Sequence, residues 1–331
     1  MKSSEAERTC NTPTDGPDSR PSRLAAQTCC QAVGLPWMRY KGMLTPALAP
    51  HRSRDVSQRD IARAIKAQRV FGAMWTFDWD CESAPYYYVV CSDPAYDVER
   101  IPNAQARRNT RLGLRRSELE LVSAEWVADH CYGVYQAAFE RYGNAAAESH
   151  AAFRATALET AGFSDWWVAR SDSRPIAFAE VFFDGDAAFI GHIKFDYAER
   201  NKYPMNALEF TLGRHYVVER GFRYLSGGPL NVYHKTSVHD FRLRLGWRKA
   251  YCRLGVCWNM SIRSALRLRL DRIVQVVAPA GWRRKLETVQ RMSQLADACR
   301  TGPWSQDGPR RMDAPAGHSS ASNQSSPRPP T

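Results

Sequence analysis

Two runs that read as β-strands are interrupted by side chains able to move a proton. Glu180 breaks "PIAFAEVFF", and His192, Lys194 and Asp196 alternate through "AAFIGHIKFD". Alternation in an extended chain puts residues i, i+2 and i+4 on one face, so these three share a side of their strand. Ile176, Phe178 and Phe182 fall on the face of Glu180, where loss of water would raise the carboxyl pKa towards that of a useful base. A carboxylate or an imidazole placed there suits the removal of a proton from an ammonium group, directly or through water. The plain alternatives are a strand face that meets water and a structural ion pair at Glu180.

Whether Glu180 and His192 meet depends on the turn between their strands. Asp184-Gly185 is a strong hairpin signal. A two-residue loop that pairs 183 with 186 puts the two side chains on opposite faces. A three-residue loop, 184–186, pairs 180 with 190 and brings them together. The sequence leaves both open.

A second polar group lies in "PLNVYHKT", where Asn231, Tyr233, His234 and Lys235 precede a short helix, "SVHDFRLRLGW". Ser237 and Asp240 resemble a capping box, and Gly246 is a natural stop. Val238, Phe241 and Leu245 make the apolar stripe, while Lys235, Arg242, Arg244 and Arg248 surround it with positive charge. A third group, Arg107, Arg108, Arg111, Arg115 and Arg116, forms a basic stripe. It reads as a solvated face or as a phosphate or tRNA contact. His215 and His239 read as structural.

The elements that must position these groups alternate along the chain. Helices are expected at 57–69, 103–116, 124–142, 147–161, 204–221, 237–245, 261–277 and 283–299. Strands are expected in "VFGAMWTF", "YYYVVC", "LELVS", "WWVARS", "PIAFAEVFF", "AAFIGHIKF", "RYLSGG" and "AYCRLGVCW". Residues 1–35 and 300–331 are rich in Ser, Pro, Arg and other polar residues and read as disordered tails. The change of composition near residue 36 also makes Met38 or Met43 a candidate start.

The 331 residues carry a net charge of +12, which favours an anionic partner, and 44% of them are apolar. At this length roughly three-quarters of the chain's surface can be buried. The nine cysteines form no CxxC and no zinc-ligand spacing, so they read as reduced, no metal is expected, and the compartment reads as cytoplasmic. No apolar run reaches the ~18 residues of a membrane span. The basic amphipathic stretch 261–277 suits either docking on its own domain or a peripheral contact with an anionic membrane.

Over 165–258, the order of strands, hairpin, helix, strand, helix and strand is similar to the GNAT acyltransferase fold. "FRLRLG" resembles an F-[KR]-x-x-[hydrophobic]-G phrase of the Fem-type aminoacyltransferases and their GNAT-like relatives, and "ARRNTR" resembles their basic helix. The resemblance implies an α/β protein with an α+β mixed sheet. Residues 36–122 would form a partial N-terminal GNAT-like subdomain, 123–258 the acyltransferase domain and 259–299 flanking basic helices.

The resemblance also implies N-acyl transfer from acyl-CoA (acetyl-CoA) or aminoacyl-tRNA to a small-molecule or cell-wall-precursor amine. The alternative is a non-catalytic module of the same fold that binds an anionic partner such as RNA. Glu180 or His192 would be the base and Tyr233 the acid for the leaving group. The donor would lie where the sheet splays near Gly227 and Gly228, held by Lys194, Arg200, Asn201, Lys202, Asn231, Lys235 and Arg242. One departure stands out. "YAERNKYPMNA" contains no glycine, where acetyl-CoA enzymes have a glycine loop whose amides hold pyrophosphate at a helix start. The side chains Arg200, Asn201 and Lys202 would have to substitute.

Overall fold

The computed structural model describes residues 20–142, 146–232, 237–267 and 280–301. Eleven strands form one mixed sheet. The aromatic and β-branched runs supply most of them, as their fit to a pleated, half-buried surface predicts. The first part of the chain gives the helical turn α1 (Arg23–Ala26) and strands β1 (Thr28–Ala32), β2 (Leu35–Tyr40) and β3 (Met43–Pro46). Helix α2 (Gln58–Gln68), strands β4 (Gly72–Cys81) and β5 (Tyr86–Cys91), helix α3 (Ala104–Arg116) and strand β6 (Glu118–Val122) follow.

Three helices, α4 (Ala124–His130), α5 (Tyr132–Tyr142) and α6 (His150–Glu159), lead to β7 (Ser164–Ser171), β8 (Arg174–Asp184) and β9 (Ala187–Phe195). Helix α7 (Pro204–Gly213) continues as a π-helical turn over Arg214–Glu219 and returns the chain to β10 (Tyr224–Pro229). Then come α8 (Val238–Arg244), β11 (Arg248–Trp258), α9 (Met260–Arg267) and α10 (Ala280–Thr301).

The strands lie in the order β1-β2-β3-β4-β11-β5-β10-β9-β8-β7-β6, and only β3–β4 and β9–β10 are parallel. Strand alternation sorts side chains to two layers. Trp167, Ala177, Ala179, Val181 and Phe183 pack with Leu208, Leu212 and Tyr216 of α7 and its continuation. Trp166, Val168 and Phe178 face the other way, against Val127, Val134 and Phe153 of α4–α6. Helix α2 covers Trp37 and Trp75 at the far end, and α10 lays Met292, Ala296 and Cys299 on β11.

Two expected boundaries need correcting. The disordered tail does not extend to residue 35: Ser22 caps α1, β1 pairs with β2, and Leu24, Leu35 and Trp37 are buried. Nor is residue 36 or Met38 a structural boundary. The strands assigned to 36–122 and 123–258 are also interleaved. β5 lies between β10 and β11, and β6 pairs with β7, so one sheet contains both expected units. Residues 1–19 and 302–331 of the expected tails, and 268–279 of the expected basic helix, lie outside the described residues.

Candidate active site

β8 and β9 connect through the two-residue turn Gly185-Asp186, with Asp184 opposite Ala187. That count runs to Val181 opposite Ile190 and would set Glu180 opposite Gly191, leaving His192 on the other face. Instead the register slips by one residue, and Glu180 stands directly opposite His192. Gly191 is the extra residue of a β-bulge. The partnership of Glu180 and His192 is therefore made by the bulge and by neither loop length considered from the sequence. Gly191 is needed there for space, because a Cβ would sit 2.7 Å from Oε2 of Glu180 and 3.2 Å from the Phe182 ring.

Glu180 is fully buried, and its charge is compensated from two sides. Oε1 accepts a 2.8 Å hydrogen bond from the Ser164 hydroxyl and pairs with the Arg23 guanidinium, which also lies over the Phe182 ring. Oε2 accepts no hydrogen bond among the described residues and lies 3.7 Å from Nε2 of His192. The imidazole is about half exposed, with a side chain at 46% of its full accessibility. Desolvation pushes its pKa below the ordinary value, against the opposing pull of the Glu180 charge. A neutral ring that keeps its proton on Nε2, towards the carboxylate, presents the Nδ1 lone pair as acceptor. Lys194, next on the same face, lies over the Phe139 ring, and desolvation lowers its pKa as well.

Strand β10 runs parallel to β9 only from Tyr224 to Ser226, against Ala187–Phe189. Its register with β5 then slips through Gly227-Gly228, while Ile190–Phe195 of β9, among the described residues, stays paired to β8 alone. The two parallel strands thus part beside Gly191 and His192. Three antiparallel strands, a crossover helix and a parallel strand that diverges from its neighbour complete the order of elements anticipated above. The fold is GNAT-like.

No family model matches the chain, and no curated protein matches it in sequence. Similar solved structures include the C-terminal domain of a protein assigned as a lysylphosphatidylglycerol synthetase from Agrobacterium fabrum. It is 13% identical, with 76% of this chain and 89% of that chain covered and a TM-score of 0.49. FemX is 9% identical over 65% of this chain and 81% of its own, with a TM-score of 0.45. A GCN5-related N-acetyltransferase from Kribbella flavida is 11% identical over 72% and 91%, with a TM-score of 0.39.

The other sequence candidates separate. Asp196 leaves the site to cap the turn over Tyr197–Lys202 and to pair with Arg174. On that turn, Arg200 stacks on Tyr197, and Lys202 pairs with Glu199 and Asp172, whose hydrogen bonds and charges raise its pKa. Asn201 is exposed and offers its carbonyl to Arg116. The side chains of Arg200 and Asn201 are thus exposed just before α7, whereas that of Lys202 is held by two carboxylates. Asn231 is half-buried just past β10, while Tyr233, His234 and Lys235 lie outside the described residues.

Arg242 requires a correction. It is buried, donates from Nε to both oxygens of Glu209 at 2.8 and 3.0 Å, and also donates to the Gly227 carbonyl. The reason is electrostatic: Glu209 of α7 is fully buried and needs a charged partner. A guanidinium engaged in this way cannot also serve as an open phosphate receptor. The stripe of α8 is correspondingly His239, Arg242 and Leu245, with Val238 exposed and no side-chain cap from Ser237.

In the basic stripe of α3, Arg107 donates to the Ile101 carbonyl, Arg111 pairs with Glu99 and Arg116 holds Asn201. His215 bonds to Glu219 and packs on Trp167. Among the described residues, no group of three or more His, Cys, Asp or Glu side chains is placed to hold a metal ion. Arg23 and Ser164 were not legible as site residues. The one signal was "SRLAA", a serine cap before a helical turn, in a segment whose composition reads as tail.

Proposed function

We propose that the protein is an acyltransferase that moves an acyl or aminoacyl group from acyl-CoA or aminoacyl-tRNA to an amine. His192 is its base, and Glu180 orients the imidazole. The observation that supports this most is the Gly191 bulge, which sets a half-exposed imidazole, backed by a buried carboxylate, where β9 and β10 diverge. The ammonium of the acceptor gives a proton to Nδ1 of His192. Its nitrogen then attacks the donor carbonyl carbon, a C–N bond forms, and the bond to the thiol or ribose oxygen breaks. Among the described residues, backbone groups of β9 past Phe189 have no strand partner on that side, and they would align the donor. Tyr233 remains the sequence's candidate for returning a proton to the leaving group.

The test is acyl transfer across a panel of acyl-CoA and aminoacyl-tRNA donors, with circular dichroism as the folding control. His192→Ala should lower turnover roughly a hundredfold or more, and Glu180→Gln should lower it by a smaller factor. Unchanged turnover in both variants would remove them from the mechanism. A second reading, a GNAT-fold module that binds an anionic partner such as RNA, draws on the +12 charge and the missing glycine loop. RNA binding without turnover on any donor would favour it.

A further inference from the structure

Arg23 is far from Glu180 in sequence and beside it in space, and its neighbours hold it there. Arg20 donates to Oδ1 of Asp165 at 2.7 Å and lies over the Phe183 ring. The Ser22 hydroxyl donates to Oδ1 of Asp184 at 2.6 Å while accepting from the Ala25 amide at 3.2 Å. The residue that caps α1 therefore also ties it to the end of β8. Arg23 itself pairs with Oε1 of Glu180. Three side chains of one short stretch thus each meet a carboxylate of β7 or β8, and Leu24 beside them is buried.

A carboxylate as buried as Glu180 needs a counter-charge. His192 could supply it by taking a proton and pairing with Oε2. An imidazolium, however, carries a proton on both nitrogens and accepts nothing. Arg23 is charged at every working pH and, with the Ser164 hydroxyl, occupies Oε1, leaving Oε2 to His192 at 3.7 Å. Desolvation is the main cause that lowers the His192 pKa. Lys194 on the same strand and Arg23 of α1 act in the same sense, while Glu180 of β8 and Glu148, on the segment before α6, oppose them. Loss of the Arg23 charge would free the Glu180 charge to act on His192 and would remove a repulsion. Both changes favour the imidazolium.

We propose that Arg23 is a positioning residue for the base: as the standing counter-charge of Glu180, it lets His192 rest neutral, with Nδ1 open to the acceptor's ammonium. The role rests on the reading of His192 as the base, and it adds the reason why a ring beside a buried carboxylate is not already protonated. It also gives the N-terminal stretch 20–26 a part in the chemistry, since that stretch carries the charge that sets the proton state of the site.

The experiment follows the His192 imidazole by NMR titration of the full chain, its signal identified as the one absent from His192→Ala. No donor or acceptor is needed. In Arg23→Gln, which keeps a hydrogen-bond donor for Oε1 and drops the charge, the midpoint should move to higher pH. Arg23→Lys, which keeps the charge, should hold it near the parental value. The step should shrink when Arg23→Gln is made in a Glu180→Gln chain, where no carboxylate is left for two cations to share. In turnover, Arg23→Gln should lose more at about pH 6 than at about pH 8, whereas a purely structural loss would be alike at both. An unmoved midpoint in Arg23→Gln, an upward shift in Arg23→Lys, or an equal step in the two backgrounds overturns the role of Arg23. Arg23→Lys retains the charge that Glu180 needs for folding, so its outcome decides the matter even if Arg23→Gln unfolds. Parental turnover in His192→Ala would instead remove the base itself, a failure visible in a chain that still carries Arg23.

Discussion

One residue with no side chain decides which groups meet in the proposed site. Gly191 lets β9 gain a residue against β8, and that gain turns His192 to the face of Glu180. Gly191→Ala would place a methyl carbon 2.7 Å from Glu180 Oε2, closer than packed atoms tolerate. Overpacking of this kind costs about 1–3 kcal/mol, and relief by straightening the bulge would turn His192 away. Urea unfolding and turnover should therefore both fall in this variant. Parental stability with parental turnover would show that the bulge does not matter to the site. An isolated glycine inside a strand pattern is a recognised sign of a bulge, so the cue was present in "FIGHIKF". The sequence could not tell which way the slip would turn its neighbours, because that depends on the opposite strand.

At the scale of elements, Arg242 joins α8 to α7 through Glu209 and to β10 through Gly227. Arg242→Met would leave Glu209 as a buried charge without its partner, at a cost of about 3–5 kcal/mol. Arg242→Met with Glu209→Leu should recover most of that loss. Denaturant midpoints measure both, and a single variant as stable as the parent would mean that the pair does not hold these elements together. The strands around this junction were legible because their apolar runs are long and bounded by turn residues, as in "PIAFAEVFF" and "AYCRLGVCW". The phase of α8 was not. Its buried face includes an arginine and a histidine, and any reading that sends charge outwards selects Val238 in their place. β1–β3 escaped notice for a related reason, since "TCCQA" and "LPWMRY" are short and acquire their core side only by pairing with each other and β4.

At the scale of the whole molecule, three imidazoles bias its response to acid. Desolvation is the main cause that lowers the pKa of His51, His192 and His239 below 6.5. The unfolded chain therefore binds protons that the folded chain refuses, and stability rises with pH across that window. The contribution is complete above the unfolded value near 6.5 and is lost as pH falls through the lower folded values. Melting temperature should decline on acidification from about pH 6.5, before ordinary carboxylates titrate. His51, held between Tyr224 and Asp186, should account for part of the decline, so His51→Gln should flatten it. A melting temperature that is level from pH 7 to pH 5 would contradict this assignment.

The place of β5 in the sheet has a consequence for how the chain is made. Cys91 and Val90 pair with Leu225 and Ser226 on one side, and Val90 pairs with Arg248 on the other. Both partners are translated long after β5 itself. Contacts so distant in sequence raise the contact order and slow folding, because chain closure is required before the pairing rewards it. Until then "YYYVVC" is an unpaired, aromatic, uncharged edge on a growing polypeptide, a segment of the kind that chaperones shield and that aggregates when they do not.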